Sequence, residues 1–376
     1  MVNLMRNKII FLSLFVSNMN YILFNSIGIN DTLKNGIRVG VIGLLLFSIL
    51  FNRNVIKFSK LDFLWIFLLL FSLLSFNISG ININYFYIIL VLIVSKGIDR
   101  VTLLKWNYFI ILVSVLFIVI TLVTGITNNI QYSVGGRTRN TFGFFNVNAF
   151  SGLIYSFYIM YFMYKDRIGK ISTIILVSLL YVIFRYTDTR TMFFAFFIYL
   201  FFYILLRQLF RYKKLRTKII KIILVTLVFV PIIFSFISPL LLENYPYLNV
   251  LTSIRLTVFS DYIINQQPIN YLFGGTAVKD VDNGFLVTFF NTGVLFTSYL
   301  IYLIIKSLVY SINNDDFKQS AFIISFMYFN AFESLLLRPE ITVSIYFWIM
   351  IYKINTEENN RFGRSKILRA RELKHN

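Results

Sequence analysis

Residues 207–241 read RQLFRYKKLRTKIIKIILVTLVFVPIIFSFISPLL. The cations Arg207, Arg211, Lys213, Lys214, Arg216, Lys218 and Lys221 crowd into its first half, and an almost unbroken apolar run over 220–241 follows. That run matches the roughly 20 residues a helix needs to cross about 30 Å of hydrocarbon. Lys and Arg accumulate on the cytoplasmic side of membrane proteins, so the basic half marks the inner end. The stretch therefore predicts a membrane helix and its direction together.

Working outward, the same pattern recurs. Apolar runs fall at about 8–24, 37–51, 61–78, 82–95, 106–126, 143–164, 171–186, 191–206, 220–241, 284–305, 319–337 and 340–352. Trp65, Trp106 and many tyrosines lie near their ends, as interfacial anchors do. The chain of 376 residues is 58% hydrophobic and 14% charged, with a mean hydropathy of +0.74. A soluble domain runs nearer half apolar and a quarter charged, so that class is excluded. The expectation is an all-α, polytopic integral membrane protein of about 12 spans. Residues 1–352 form one transmembrane domain and 353–376 a basic cytoplasmic tail. The first run leads into further spans without a small-residue cleavage site, so no cleavable signal peptide is expected.

Charge tests this arrangement. With loops alternated, 27 of the 36 Lys and Arg fall on one side and nine on the other. The rich side is the cytoplasmic one, which puts both termini inside. The 16 acids divide evenly, so the net charge of +20 sits almost wholly on the inner face. Attraction to anionic inner-leaflet lipid accounts for it, and nucleic acid is not an expected partner. Cysteine is absent and the single histidine, His375, is in the tail, which argues against a zinc or copper site and against thiol chemistry. No cofactor is expected.

Seven arginines stay on the outer face against the bias: Arg38, Arg137, Arg139, Arg185, Arg190, Arg255 and Arg338. Two outer loops are long, 127–142 and 242–283, and such loops are more often functional than passive. Pro239, Pro246, Pro268 and Gly274-Gly275 punctuate the second, which predicts short interfacial or re-entrant helices there. In the first loop, Arg137 and Arg139 offer always-charged forks for phosphate oxygens, and Asn146 and Asn148 offer contacts to sugar or backbone. The bland alternative is a solvated loop whose arginines reach lipid phosphates. Arg185 and Arg190 flank the turn Thr187-Asp188-Thr189, where Asp188 can simply hold the turn by an ion pair. Arg255 opens a third group that ends in Asp280-Val281-Asp282-Asn283-Gly284. Asp282 suits a general base and Asn283 a substrate contact, whereas the same residues also suit a helix N-cap. Asp280 and Asp282 spell D-x-D, a weak signal without a nucleotide-binding domain around it. Arg338 is a natural partner for Glu333, read inside the eleventh span, and Arg38 reads as a cation snorkelling at the membrane edge.

Four segments, taken in order, resemble the Wzy-type polysaccharide polymerases, in the superfamily that includes the O-antigen ligases. Arg139-Asn140-Thr141-Phe142-Gly143-Phe144-Phe145-Asn146-Val147-Asn148-Ala149 is similar to that family's R-x-x-G-T-F-x-N-P-N-x-x-A region, with Val147 where Pro is common. Thr189-Arg190-Thr191 is similar to its S-R-T/S turn, and Arg255 with Leu272-Phe273-Gly274-Gly275 to its R…LFGxG loop. Asp282-Asn283-Gly284-Phe285-Leu286 with Gly293 is similar to its H-N-x-Y-L…G segment. The resemblance covers about 137–295. It implies a metal-independent glycosyltransferase of the bacterial cytoplasmic membrane that acts at its outer face. The substrate would be an oligosaccharide repeat on polyprenyl pyrophosphate, polymerised into capsule, exopolysaccharide or O-antigen. Asp282, Arg139 and Arg255 would be catalytic, and Arg137, Arg185, Arg190, Arg338, Asn146, Asn148 and Asn283 would bind substrate. A flippase and a chain-length regulator are implied as possible partners, beside membrane lipid. Ligase-type members carry His where this chain has Asp282, which favours polymerase over transfer of finished glycan to another acceptor. A lipid-linked oligosaccharide flippase or other transporter is the rival from a different class; it predicts ionisable residues spread at mid-membrane rather than clustered at one face.

Overall fold

Helices dominate because a chain in hydrocarbon must satisfy its own backbone hydrogen bonds, which a helix does within one segment. The computed structural model describes residues 2–51, 80–134, 137–165, 169–211, 218–242, 244–247, 255–264, 268–276, 278 and 281–356. The expected span at 61–78, Asp280 and the tail beyond 356 lie outside the described residues. In chain order the elements are α1 (Val2–Ser26), α2 (Asp31–Phe51), α3 (Gly80–Val94), α4 (Arg100–Val123), β1 (Gln131–Val134) and β2 (Arg137–Asn140). Then follow α5 (Val147–Tyr164), α6 (Lys170–Thr187), α7 (Arg190–Arg211), α8 (Lys218–Ile237), α9 (Arg255–Ile264) and α10 (Pro268–Phe273). The series ends with α11 (Gly284–Asn313), α12 (Phe317–Asn330) and α13 over 342–356.

Among the described residues, seven helices are long and apolar enough to cross a membrane: α1, α2, α4, α6, α7, α8 and α11; α3 is a shorter apolar helix. α12 and α13 are nearly buried throughout, with Phe322, Phe326, Phe347 and Trp348 among the most enclosed side chains. A helix that is apolar all round belongs inside a bundle. α12 packs against α5, α7, α8 and α11. α6 is the opposite case. Ile171, Ile174 and Ile175 are all exposed on it, a surface that lipid rather than water would cover.

Several sequence expectations are adjusted. The loop 127–142 is not wholly irregular: β1 and β2 form an antiparallel hairpin in which Val134 faces Arg137 and Gln131 faces Asn140. Among the described residues, the all-α expectation gains this small sheet. α9 and α10 supply the short helices expected in 242–283. The eleventh run, read to 337, stops as a helix at Asn330, so Glu333 lies in the following turn rather than inside a span. Lys353 is not a solvated tail residue. It is buried and donates to the carbonyls of Ser95 at 2.9 Å and Ile98 at 2.6 Å, because α13 runs on to residue 356.

Candidate functional site

The hairpin is built to present Arg139. Thr141 closes its base by backbone and side-chain bonds to Ile130, both 3.0 Å. β2 docks on the carboxyl end of α6, where unpaired carbonyls attract donors. Arg139 Nε donates to Thr187 O at 3.2 Å, and Asn140 Nδ2 donates to Tyr186 O at 3.0 Å. The second arm of the guanidinium reaches the first turn of α5, where Arg139 Nη2 donates to Asn148 Oδ1 at 3.3 Å. Asn146 caps that helix, accepting from the Asn148 backbone N–H at 2.8 Å.

Asn148 continues the line. Its Nδ2 donates to Asp282 Oδ2 at 3.2 Å, joining residues 134 positions apart. A guanidinium only donates and an ionised carboxylate only accepts. An amide with its oxygen toward one and its nitrogen toward the other satisfies both, so Asn148 has a single orientation here. Asp282 precedes the cap of α11. Asn283 takes the cap, accepting from Phe285 and Leu286 N–H at 3.0 Å each and donating to Ser235 Oγ at 2.9 Å and Ala331 O at 2.8 Å. At 1% exposure, its side chain is committed to joining α8, α11 and the end of α12.

The turn 331–341 brings Arg338 to the same place. Its backbone is satisfied from the surrounding helices: Asn330 Oδ1 accepts from Leu336 N at 2.7 Å, and Trp348 Nε1 donates to Leu336 O at 2.7 Å. Asn84 Nδ2 donates to Leu337 O at 3.0 Å, and Asn18 Nδ2 donates to Glu340 O at 2.9 Å. Arg338 Nη2 donates to Ser334 Oγ at 3.1 Å. Desolvation by itself would lower the Arg338 pKa. Tyr21, Asp282 and Glu333 around it outweigh that and hold the guanidinium above its ordinary value. Glu333 and Asp282 thus act on Arg338 through their charge, while its guanidinium donates to Ser334.

Two arginines stand apart. Arg190 Nε lies 3.7 Å from Asp188 Oδ1, the local pair foreseen for that turn, and about half of its side chain is exposed. Asp188 ends α6 in the left-handed region, and the hydroxyls of Thr187 and Thr189 meet at 2.7 Å beneath it. Arg185 is exposed in the last turn of α6. Arg137 and Arg255 are placed by backbone alone, in β2 and at the start of α9; their side chains lie outside the described residues. The structure therefore joins Arg139, Asn148 and Asp282 by hydrogen bonds, with Arg338 within electrostatic reach of Asp282 and with Asn146 and Asn283 capping the adjoining helices.

Arg38 corrects a sequence reading. It is not snorkelling at a membrane edge but pairs with Glu340, which is only 6% exposed. A carboxylate that deep needs a cation beside it. The signal was present as opposite charges on two outer segments, but 302 residues separate them. A second feature not foreseen is an interlock between α10 and α11. Gly293 breaks α11 at φ 73°, and Gly275 N and Thr276 N donate to the carbonyls of Asn291 at 3.2 Å and Phe290 at 3.1 Å. This contact ties the Leu272-Phe273-Gly274-Gly275 segment to the helix that Asp282 precedes.

Comparisons of the chain with protein-family models, with curated proteins and with solved structures each found no match.

Proposed function

We propose that this protein polymerises polyprenyl-pyrophosphate-linked oligosaccharide repeats at the outer face of the bacterial cytoplasmic membrane. One observation carries the reading: Arg139, Asn148 and Asp282, from three separate segments, form one hydrogen-bonded line within electrostatic reach of Arg338. A base and an anion-binding group within one small site are what glycosyl transfer from a pyrophosphate donor requires.

The chemistry follows from the residue types. Asp282 takes the proton of the acceptor sugar hydroxyl as that oxygen attacks the anomeric carbon of the donor. The bond from that carbon to the pyrophosphate oxygen breaks, and polyprenyl pyrophosphate leaves with its charge. Arg139 and Arg338 stabilise the charge developing on it, with Arg137, Arg190 and Arg255 available to the remaining phosphate oxygens. Asn148 keeps the base and the nearest guanidinium in fixed relation. No step needs a metal ion.

The setting suits a lipid-borne substrate. In the twelve-span arrangement with both termini inside, the cluster belongs to the outer end of the bundle. The α12 helix has 14 residues and is ~21 Å long, short of the ~30 Å core. The turn carrying Arg338 is then recessed below the outer boundary, where irregular backbone is tolerated only inside protein. Deletion separates polymerase from flippase. Loss of a polymerase leaves single repeats accumulated on the outer leaflet; single repeats retained on the inner leaflet would instead mark a flippase.

A further inference from the structure

At the end of α12 remote from Asp282, a cavity of about 990 Å³ opens among the starts of α4 and α12 and the ends of α5 and α7. Its size is that of a small-molecule site. Arg100, Lys165, Arg207 and Lys318 line it, against Asp315 and Asp316, so its walls carry a net charge of two positives. Asp316 is already engaged as the cap of α12, accepting from Gln319 N at 3.1 Å, and it faces Arg100 and Lys318. Lys318 reaches across to the carbonyls of Met163 at 3.4 Å and Lys165 at 2.5 Å, closing the end of α5.

Two further groups point to a ligand. Gln319 lines the cavity and is 3% exposed. Its Oε1 accepts from Arg100 Nη1 at 3.1 Å, which fixes the amide, because a guanidinium can only donate. Its Nε2 is then a buried donor, and it has no acceptor among the described residues. Buried donors are almost always partnered, and an oxygen supplied from outside would complete this one. Arg207 is the second group: exposed, with no ion pair among the described residues. Tyr203 and Tyr346 give the same cavity aromatic wall.

We infer that this cavity binds a phosphate-bearing anion, held by Arg100, Arg207 and the Gln319 amide. Basic pockets between membrane helices on the cytoplasmic side suit lipid headgroups, and a soluble phosphate ester presents the same oxygens. The inference stands apart from the polymerase reading, because the site lies at the other end of α12 and its test reads no sugar transfer.

The test is a thermal-unfolding titration of the full chain in neutral detergent. The probes are dioleoylphosphatidylglycerol, dioleoylphosphatidylcholine and glycerol 3-phosphate. Saturable stabilisation by phosphatidylglycerol and not by glycerol 3-phosphate identifies a lipid headgroup; equal action by both identifies the phosphate ester alone. In either case Arg207→Ala should weaken binding about tenfold, and Gln319→Leu should weaken it in the same direction. Lys218→Ala, an exposed cation outside the cavity, should leave it unchanged. The inference is overturned if phosphatidylcholine stabilises as well as phosphatidylglycerol, if no anion binds saturably, or if Lys218→Ala and Arg207→Ala lose affinity equally.

Discussion

Between the guanidinium of Arg139 and the carboxylate of Asp282 stands one amide, Asn148, with its oxygen toward the first and its nitrogen toward the second. Neither Asp nor Leu at that position could serve both neighbours. The pair of Arg38 with Glu340 follows similar logic in a drier place. Removing one partner leaves an uncompensated buried charge, at a cost of about 3–5 kcal/mol, whereas replacing both with apolar groups of similar volume is close to neutral. Glu340→Leu and Arg38→Met should therefore each lower Tm sharply, and the double variant should recover most of the loss. Thermal unfolding of the three purified variants checks this; strictly additive losses would contradict it.

The residue scale is also where the sequence was partly legible. Arg139 and Asp282 stand out because ionisable groups beside long apolar runs are rare. Their connection was not legible, because it passes through Asn148 and depends on how three separate elements meet. The same holds for Arg38, whose partner is 302 residues away. Asn283 was readable as a cap, and its side chain is fully occupied in that role.

At the scale of elements, the least legible feature is the end of α12. Phe332, Leu335, Leu336 and Leu337 continue the apolar run, so hydropathy alone carries the span to 337. The helix nevertheless stops, because Asn330 and Trp348 satisfy the backbone of Leu336 in the turn. The α10–α11 interlock is a second such device, and glycine makes it possible. A Cβ on Gly274 would lie 2.3 Å from the carbonyl carbon of Asn291, and one on Gly293 would lie 2.2 Å from the carbonyl oxygen of Leu272. Both glycines also have positive φ, where any side chain is strained. Gly274→Ala and Gly293→Ala should therefore release 242–283 from α11. The expected readout is faster proteolysis within that loop, with Tm lowered by several degrees; unchanged cleavage would count against the interlock.

For the whole molecule, the recurring apolar runs and the charge asymmetry foretold a helical membrane protein, and seven described helices have the length and composition to cross. The orientation is open to direct test because the chain has no cysteine. Single cysteines replacing Asn128 or Asp188 should react with an impermeant maleimide in intact cells. Cysteines replacing Lys306 or Asp315 should react only after the membrane is opened; the reverse pattern would invert the topology and move the cluster to the cytoplasm.

With that topology the molecule would have two polar ends of different chemistry: an outer one where Asp282 meets Asn148 and Arg139, and an inner one where Arg100, Lys165, Arg207 and Lys318 line a cavity. At the outer end, Asp282 is proposed to act as the base of a polymerase. The most direct test of that role is extension of a polyprenyl-pyrophosphate-linked repeat by reconstituted protein, with product length and released polyprenyl pyrophosphate followed together. Wild type should build polymer and release the carrier, and Asp282→Asn of unchanged Tm should be slower by about a hundredfold or more. Polymer made by Asp282→Asn at the wild-type rate would contradict the account, as would folded wild type that leaves the repeats single.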